Sequence, residues 1–131
     1  MSKTLPDLKL LDSDNAWVKR NEIVSTFLRE NFKNSEKQLK ILEAGCGRAW
    51  PLDLGDLRTE LTGVDLDEHA LNARVHDVGD LQKAIVGDLR DIDLPHAEFD
   101  FVYSCDVLEH IRGPMGVLIK LFACLQPEGV A

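Results

Sequence analysis

Apolar residues recur along this chain at two different spacings. From Asn15 to Phe32 the residues Trp17, Ile23, Val24, Phe27, Leu28 and Phe32 follow roughly the three-to-four-residue interval of a helix, with Lys19, Arg20, Arg29 and Glu30 opposite them. That spacing predicts an amphipathic first helix, with Ser13 or Asp14 placed to cap it. Beyond it come short, nearly continuous apolar runs: Leu39 to Ala44 (LKILEA), Glu60 to Asp65 (ELTGVD), a weaker Lys83 to Val86 (KAIV) and Phe99 to Tyr103 (FDFVY). These predict four strands. Segments of helical or mixed character lie between and after them, at Pro51 to Leu57, Asp67 to Val75, a short turn around Leu89 to Ile92, and Pro114 to Leu125. Apolar strands alternating with helical crossovers predict an α/β domain of the doubly wound class, a parallel sheet with helices on both faces.

Composition narrows the picture without changing it. A chain of 131 residues, 44% hydrophobic and 29% charged, matches one soluble globular domain. Within it, residues 1–38 read as an N-terminal helical segment whose Trp17 and Arg20 could close as a lid, and residues 39–131 as the α/β domain. No apolar run reaches eighteen residues, and MSKTLPDLKLLDSDN lacks the apolar stretch of a secretory signal, so a cytoplasmic location is expected. Cys46, Cys105 and Cys124 are odd in number and contain no CxxC pair, which argues for reduced, packed thiols rather than a disulfide framework or a metal cluster. A formal charge of −8 with no Lys/Arg cluster disfavours nucleic acid and anionic membrane as partners, leaving a small molecule.

In a doubly wound sheet, ligands bind outside the carboxyl ends of the strands. The residues there are Gly45, Cys46 and Gly47 after the first run, Asp65 after the second, Asp88 after the third, and Ser104, Cys105 and Asp106 after the fourth, with Glu43 inside the first. Without a Cβ, Gly45 and Gly47 let the backbone turn sharply and a ligand press against it. Asp65, twenty residues after Gly45, stands where one carboxylate binds both hydroxyls of a ribose. A nucleoside ligand is indicated. For a dinucleotide the fingerprint GxGxxG requires glycine or alanine at position 50, where Trp50 stands, and Glu43 would repel a pyrophosphate. A phosphate-free ligand bearing an ammonium and a sulfonium suits this acidic surround, which points to S-adenosylmethionine.

From Leu39 to Val130 the chain resembles a class I S-adenosylmethionine-dependent methyltransferase of the small-molecule type. The acidic residue and G-x-G of that family's first motif are matched by Glu43, Gly45, Cys46 and Gly47. GVDLDEHAL resembles the second motif, which implies that Asp65, with Leu66 beside it, binds the ribose hydroxyls. IVGDLRDIDLP resembles the third and implies that Asp88 faces the adenine amino group, with Leu89 adjacent. FDFVYSCDVLEHI resembles the fourth, so that Ser104, Cys105 and Asp106 would line the methyl end. His110 there is a candidate general base, although in the family the stretch VLEHI usually serves packing and lining of the pocket. The tail VLIKLFACLQPEGVA resembles the helix and Pro-Gly turn before a fifth strand. The expected reaction is methyl transfer to a small-molecule acceptor by in-line displacement at the sulfonium methyl, with no metal. A non-catalytic S-adenosylmethionine-binding or interaction domain is the alternative, and a nicotinamide-dependent oxidoreductase a more distant one.

Two departures stand out. Ala49 replaces a third glycine and is followed by Trp50-Pro51, so a short crossover helix is expected to begin at Pro51. The fifth strand is expected to begin only at Val130-Ala131, which would make the chain an N-terminal portion of the fold, lacking its C-terminal strands, and leave the fourth strand as an unpaired apolar edge.

Overall fold

In a computed structural model of the protein the described residues are 16–33, 36–47, 50–104 and 107–130, without the side chains of Ala16, Trp17 and Glu109. The expected caps Ser13 and Asp14 therefore lie outside the described residues. Helix α1 spans Ala16–Phe32, followed by strands β1, Leu39–Ala44, and β2, Thr59–Asp65. Helix α2, Glu68–Asn72, continues without a break into a wider π-helical turn, Ala73–Val78. Then come β3, Lys83–Val86, β4, Phe99–Ser104, a 3₁₀ turn at Leu108–His110, helix α3, Pro114–Cys124, and β5, Leu125–Val130.

The chain divides into two compact units, the first containing α1 and the segment 51–58, the second containing the sheet with α2 and α3. In the first, the segment after Pro51 forms turns and not the expected crossover helix. Its polar groups are engaged otherwise: the Asp53 N–H donates to Ser25 Oγ (3.0 Å), Arg29 Nη1 donates to the Asp53 carbonyl (2.9 Å), and Asp53 Oδ1 accepts from the Gly55 N–H (3.0 Å). An aspartate that folds its side chain onto the backbone two residues ahead closes a turn, which competes with the first turn of a helix.

In the second unit the five strands are parallel, in the order β3-β2-β1-β4-β5. The order reverses at β1, and the opening between β1 and β4 is the switch point where a crevice forms. Because side chains alternate along a strand, β1 sends Leu42 and Ala44 to one face and Ile41 and Glu43 to the other. Leu42, Ala44, Val64 and Val102 form a buried cluster with Val117, Leu121 and Cys124 of α3. On the opposite face Glu43 meets Arg74 of the π-helical turn. Both faces of the central strands thus carry helical cover, as the sequence predicts. The cover is thinner over β3, where Lys83, Ala84 and Val86 are exposed.

The end of the chain departs from expectation. β5 already begins at Leu125 and pairs with β4, so β4 is flanked on both sides and is not an unpaired edge. Phe99 pairs with Leu125 and Phe101 with Val130, so a bulge takes up the residues between, with Glu128 at φ 70°. The Pro-Gly segment expected to precede the strand is that bulge.

Candidate functional site

At the carboxyl end of β1 the chain leaves the sheet in a tight turn. The Gly45 and Cys46 N–H groups both donate to the Val64 carbonyl, at 2.7 and 3.1 Å, so the turn is tied to β2. Gly45 has φ +75°, and a Cβ there would sit 2.2 Å from Val107 Cγ2. Both the left-handed backbone and the close approach of Val107 require glycine. Opposite Glu43 in the register lies Gly63, and a Cβ on it would collide with Leu81 and with Cys46 Sγ.

The Gly47 N–H donates to Asp65 Oδ2 (2.9 Å), and the Asp67 N–H donates to Asp65 Oδ1 (2.9 Å). One backbone amide from each side thus clamps the Asp65 carboxylate. Asp67 itself caps α2, its Oδ1 accepting from the Ala70 N–H (3.1 Å). Around Asp65 opens a cavity of about 370 Å³, within the range of small-molecule sites. Its wall includes Gly45, Gly47, Asp65, Leu66, Asp88, Leu89 and His110, seven of the residues singled out in the sequence. Val64, Gly87, Arg90, Val107 and Ile111 complete it; Val107 and Ile111 belong to the VLEHI stretch expected to pack and line the pocket, whereas Arg90 was not anticipated. Arg90 stands two residues beyond Asp88, a spacing that would have flagged it.

Asp88 is in place on the wall with its carboxylate already engaged. Arg90 donates to it through Nε (3.0 Å to Oδ1) and Nη2 (2.6 Å to Oδ2), and the Arg90 N–H adds a third contact at 2.9 Å. The side-chain hydrogen bond from Arg90 holds the Asp88 carboxyl down to about 2. The turn itself is fixed from α3, where Lys120 Nζ donates to the carbonyls of Leu89, Arg90 and Ile92 at 3.3, 2.8 and 3.0 Å.

Three anticipated residues stand away from the cavity wall. Glu43 is buried, its Oε1 accepting from Arg74 Nη1 at 2.8 Å. Burial pushes its carboxyl up to about 7, against the hydrogen bond and charge of Arg74. Cys46 is also buried, and burial, reinforced by the charge of Glu43, pushes its thiol up to about 12, which makes it a packing residue and not a nucleophile. Ser104 ends β4 with its Oγ buried and without a hydrogen-bond partner among the described residues. Cys105, Asp106 and Ala49 lie outside the described residues, as does the Trp17 side chain. Trp50 packs edge-on against Tyr103, ring centroids 5.7 Å apart. Arg74 gave no signal in the sequence, where ARVHDV reads as an ordinary helix surface.

Comparison with known proteins shows the family. Residues 42–131 match the family model described as a methyltransferase domain. A Mycolicibacterium smegmatis protein named as a probable S-adenosylmethionine-dependent methyltransferase is 31% identical over 98% of this chain, which covers 47% of that protein. The tRNA U34 carboxymethyltransferase of Methylococcus capsulatus is 33% identical over 69% of the chain, which covers 30% of it. The CurJ carbon methyltransferase structure shares the fold, with a TM-score of 0.72 over 89% of this chain and 35% of its own, at 19% identity. The chain spans less than half the length of these relatives. A parallel sheet reversing at β1, a glycine turn above it and a family match that runs from within β1 through β5 place the chain among the S-adenosylmethionine-dependent methyltransferases.

Proposed function

We infer that the protein binds S-adenosylmethionine in the cavity beside Asp65 and transfers its methyl group to a small-molecule acceptor. The observation that carries this reading is the clamped carboxylate. Each Asp65 oxygen accepts one backbone N–H, and a carboxylate has about four acceptor sites, so each oxygen keeps capacity for one hydroxyl of a vicinal diol. Leu66, Leu89, Val107 and Ile111 supply apolar wall for a flat base. Asp88, fixed by Arg90, presents negative charge at the same rim for an exocyclic amine. When bound, the cofactor supplies an electrophilic methyl on a sulfonium that is its own leaving group. The remaining requirement is an acceptor held in line with that methyl and shielded from water, so that positioning contributes most of the rate.

A small-molecule acceptor is favoured over RNA by the net charge of −8, which opposes approach to a phosphate backbone, although one relative carries a tRNA-modifying name. Isothermal titration of S-adenosylhomocysteine into wild-type protein and Asp65→Ala tests the binding site. Micromolar affinity in the wild type, weakened by more than about tenfold in the variant, is expected from the loss of two charge-assisted hydrogen bonds. Equal affinity in both would remove Asp65 from the site. Binding without transfer to any compound in an acceptor screen would assign a non-catalytic role instead.

A further inference from the structure

Arg74 is fully buried and does not line the cavity. Its Nε donates to both Asp80 oxygens (2.8 and 3.0 Å), while Nη1 donates to Glu43 Oε1 (2.8 Å) and to the Cys46 carbonyl (2.9 Å). That carbonyl belongs to the same peptide group whose N–H, on Gly47, donates to Asp65 Oδ2. A trans peptide is planar, with its C=O and N–H directed oppositely. Arg74 and Asp65 therefore grip opposite ends of one rigid group.

The local backbone is built to bring Arg74 there. Its own carbonyl accepts from the Gly79 and Asp80 N–H groups at 2.9 and 3.1 Å, which widens the helix into the π-helical turn and returns Asp80 to the guanidinium of Arg74. Such turns recur at functional sites. A buried ion pair is also a weak source of stability compared with apolar residues of similar size, whereas a planar guanidinium with several fixed donors is well suited to setting an orientation.

We propose that Arg74 is a positioning residue for the nucleoside: by fixing the Cys46–Gly47 peptide it aims the Gly47 N–H at Asp65 and holds that carboxylate in the attitude that receives the ribose diol. This role rests on the assignment of Asp65 to the ribose. Arg74 acts on the diol alone, through Asp65, and leaves the contacts to the base and the amino-acid end unchanged.

The test is titration of S-adenosylhomocysteine and of its 2′,3′-dideoxy analogue into wild-type protein, Arg74→Met, Arg74→Lys and Asp80→Asn, each checked for folding by circular dichroism. Wild type is expected to prefer the diol-bearing ligand by about tenfold or more. Arg74→Met and Asp80→Asn shrink that preference by roughly fivefold, with the affinity for the dideoxy analogue changing less than about twofold. Arg74→Lys, a point charge without the planar fork, recovers part of it. Should Arg74→Met fail to fold, Asp80→Asn carries the test, because Asp80 lies nearer the surface and its replacement loosens the guanidinium without burying a new apolar side chain. A folded variant that loses both ligands equally, or keeps the full diol preference, overturns the positioning role while Asp65 retains its own. Failure of wild-type protein to bind S-adenosylhomocysteine, or to prefer it over the dideoxy analogue, overturns the ribose assignment and this role with it.

Discussion

Glu43 and Asp80 present two carboxylates to a single buried guanidinium, and they do not share the cost equally. The side chain of Glu43 is 4% exposed and that of Asp80 24%, so desolvation falls on Glu43 and raises its carboxyl to about 7. The unfolded chain loses this proton around pH 4.5, the folded one around 7. Between those values the native state binds more protons than the unfolded state, so stability falls as pH rises through the window. The loss attributable to Glu43 is on the order of 2–3 kcal/mol. Glu43→Gln keeps an oxygen facing Arg74 Nη1 and removes the titration. Urea unfolding between pH 4.5 and 7.5 should show a declining wild-type profile and a flatter one for the variant; parallel slopes would assign the dependence to other groups.

Elements follow the sequence where burial is uniform and depart from it where single polar groups decide. β1 and β3 occur at the predicted residues, and β2 and β4 gain one residue each, because apolar runs bounded by glycine or charge leave little choice of register. β5 was illegible: Pro127, Glu128 and Gly129 read as a turn, and only pairing with Phe99 and Phe101 draws them into a bulged strand. The segment after Pro51 was misread because Asp53 and Ser25 claim its backbone. In the site, the wall residues Gly45, Gly47, Asp65 and Asp88 were legible from strand ends and spacing. Arg74 was not, since its burial depends on a π-helical turn that no local pattern announces. The turn after β1 offers a direct test at this scale. Gly45→Ala places a Cβ 2.2 Å from Val107 Cγ2 on a backbone at φ +75°, and should destabilise the protein by about 2–4 kcal/mol through strain and overpacking. The urea midpoint measures this, and a loss below about 0.5 kcal/mol would mean that Val107 yields freely.

For the molecule as a whole, a ligand that binds only the native state raises its stability by mass action. S-Adenosylhomocysteine at about one hundred times its dissociation constant should add about 2.7 kcal/mol, visible as a raised melting temperature. NADH should add nothing, since Trp50 stands where the dinucleotide fingerprint requires a small residue. Stabilisation by NADH alone would reverse the choice of cofactor. The order of the sheet also sets a timetable. β1, its central strand, pairs with β2 at an offset of twenty residues, Leu39 to Thr59, but its other edge meets β4, where the Lys40 N–H donates to Asp100 sixty residues on. At about 5–20 residues per second on the ribosome, that edge waits roughly 3–12 s for its partner. Through that interval the middle of the future sheet is an open template, so translation speed across residues 40–100 governs how long the nascent chain stays exposed to aggregation.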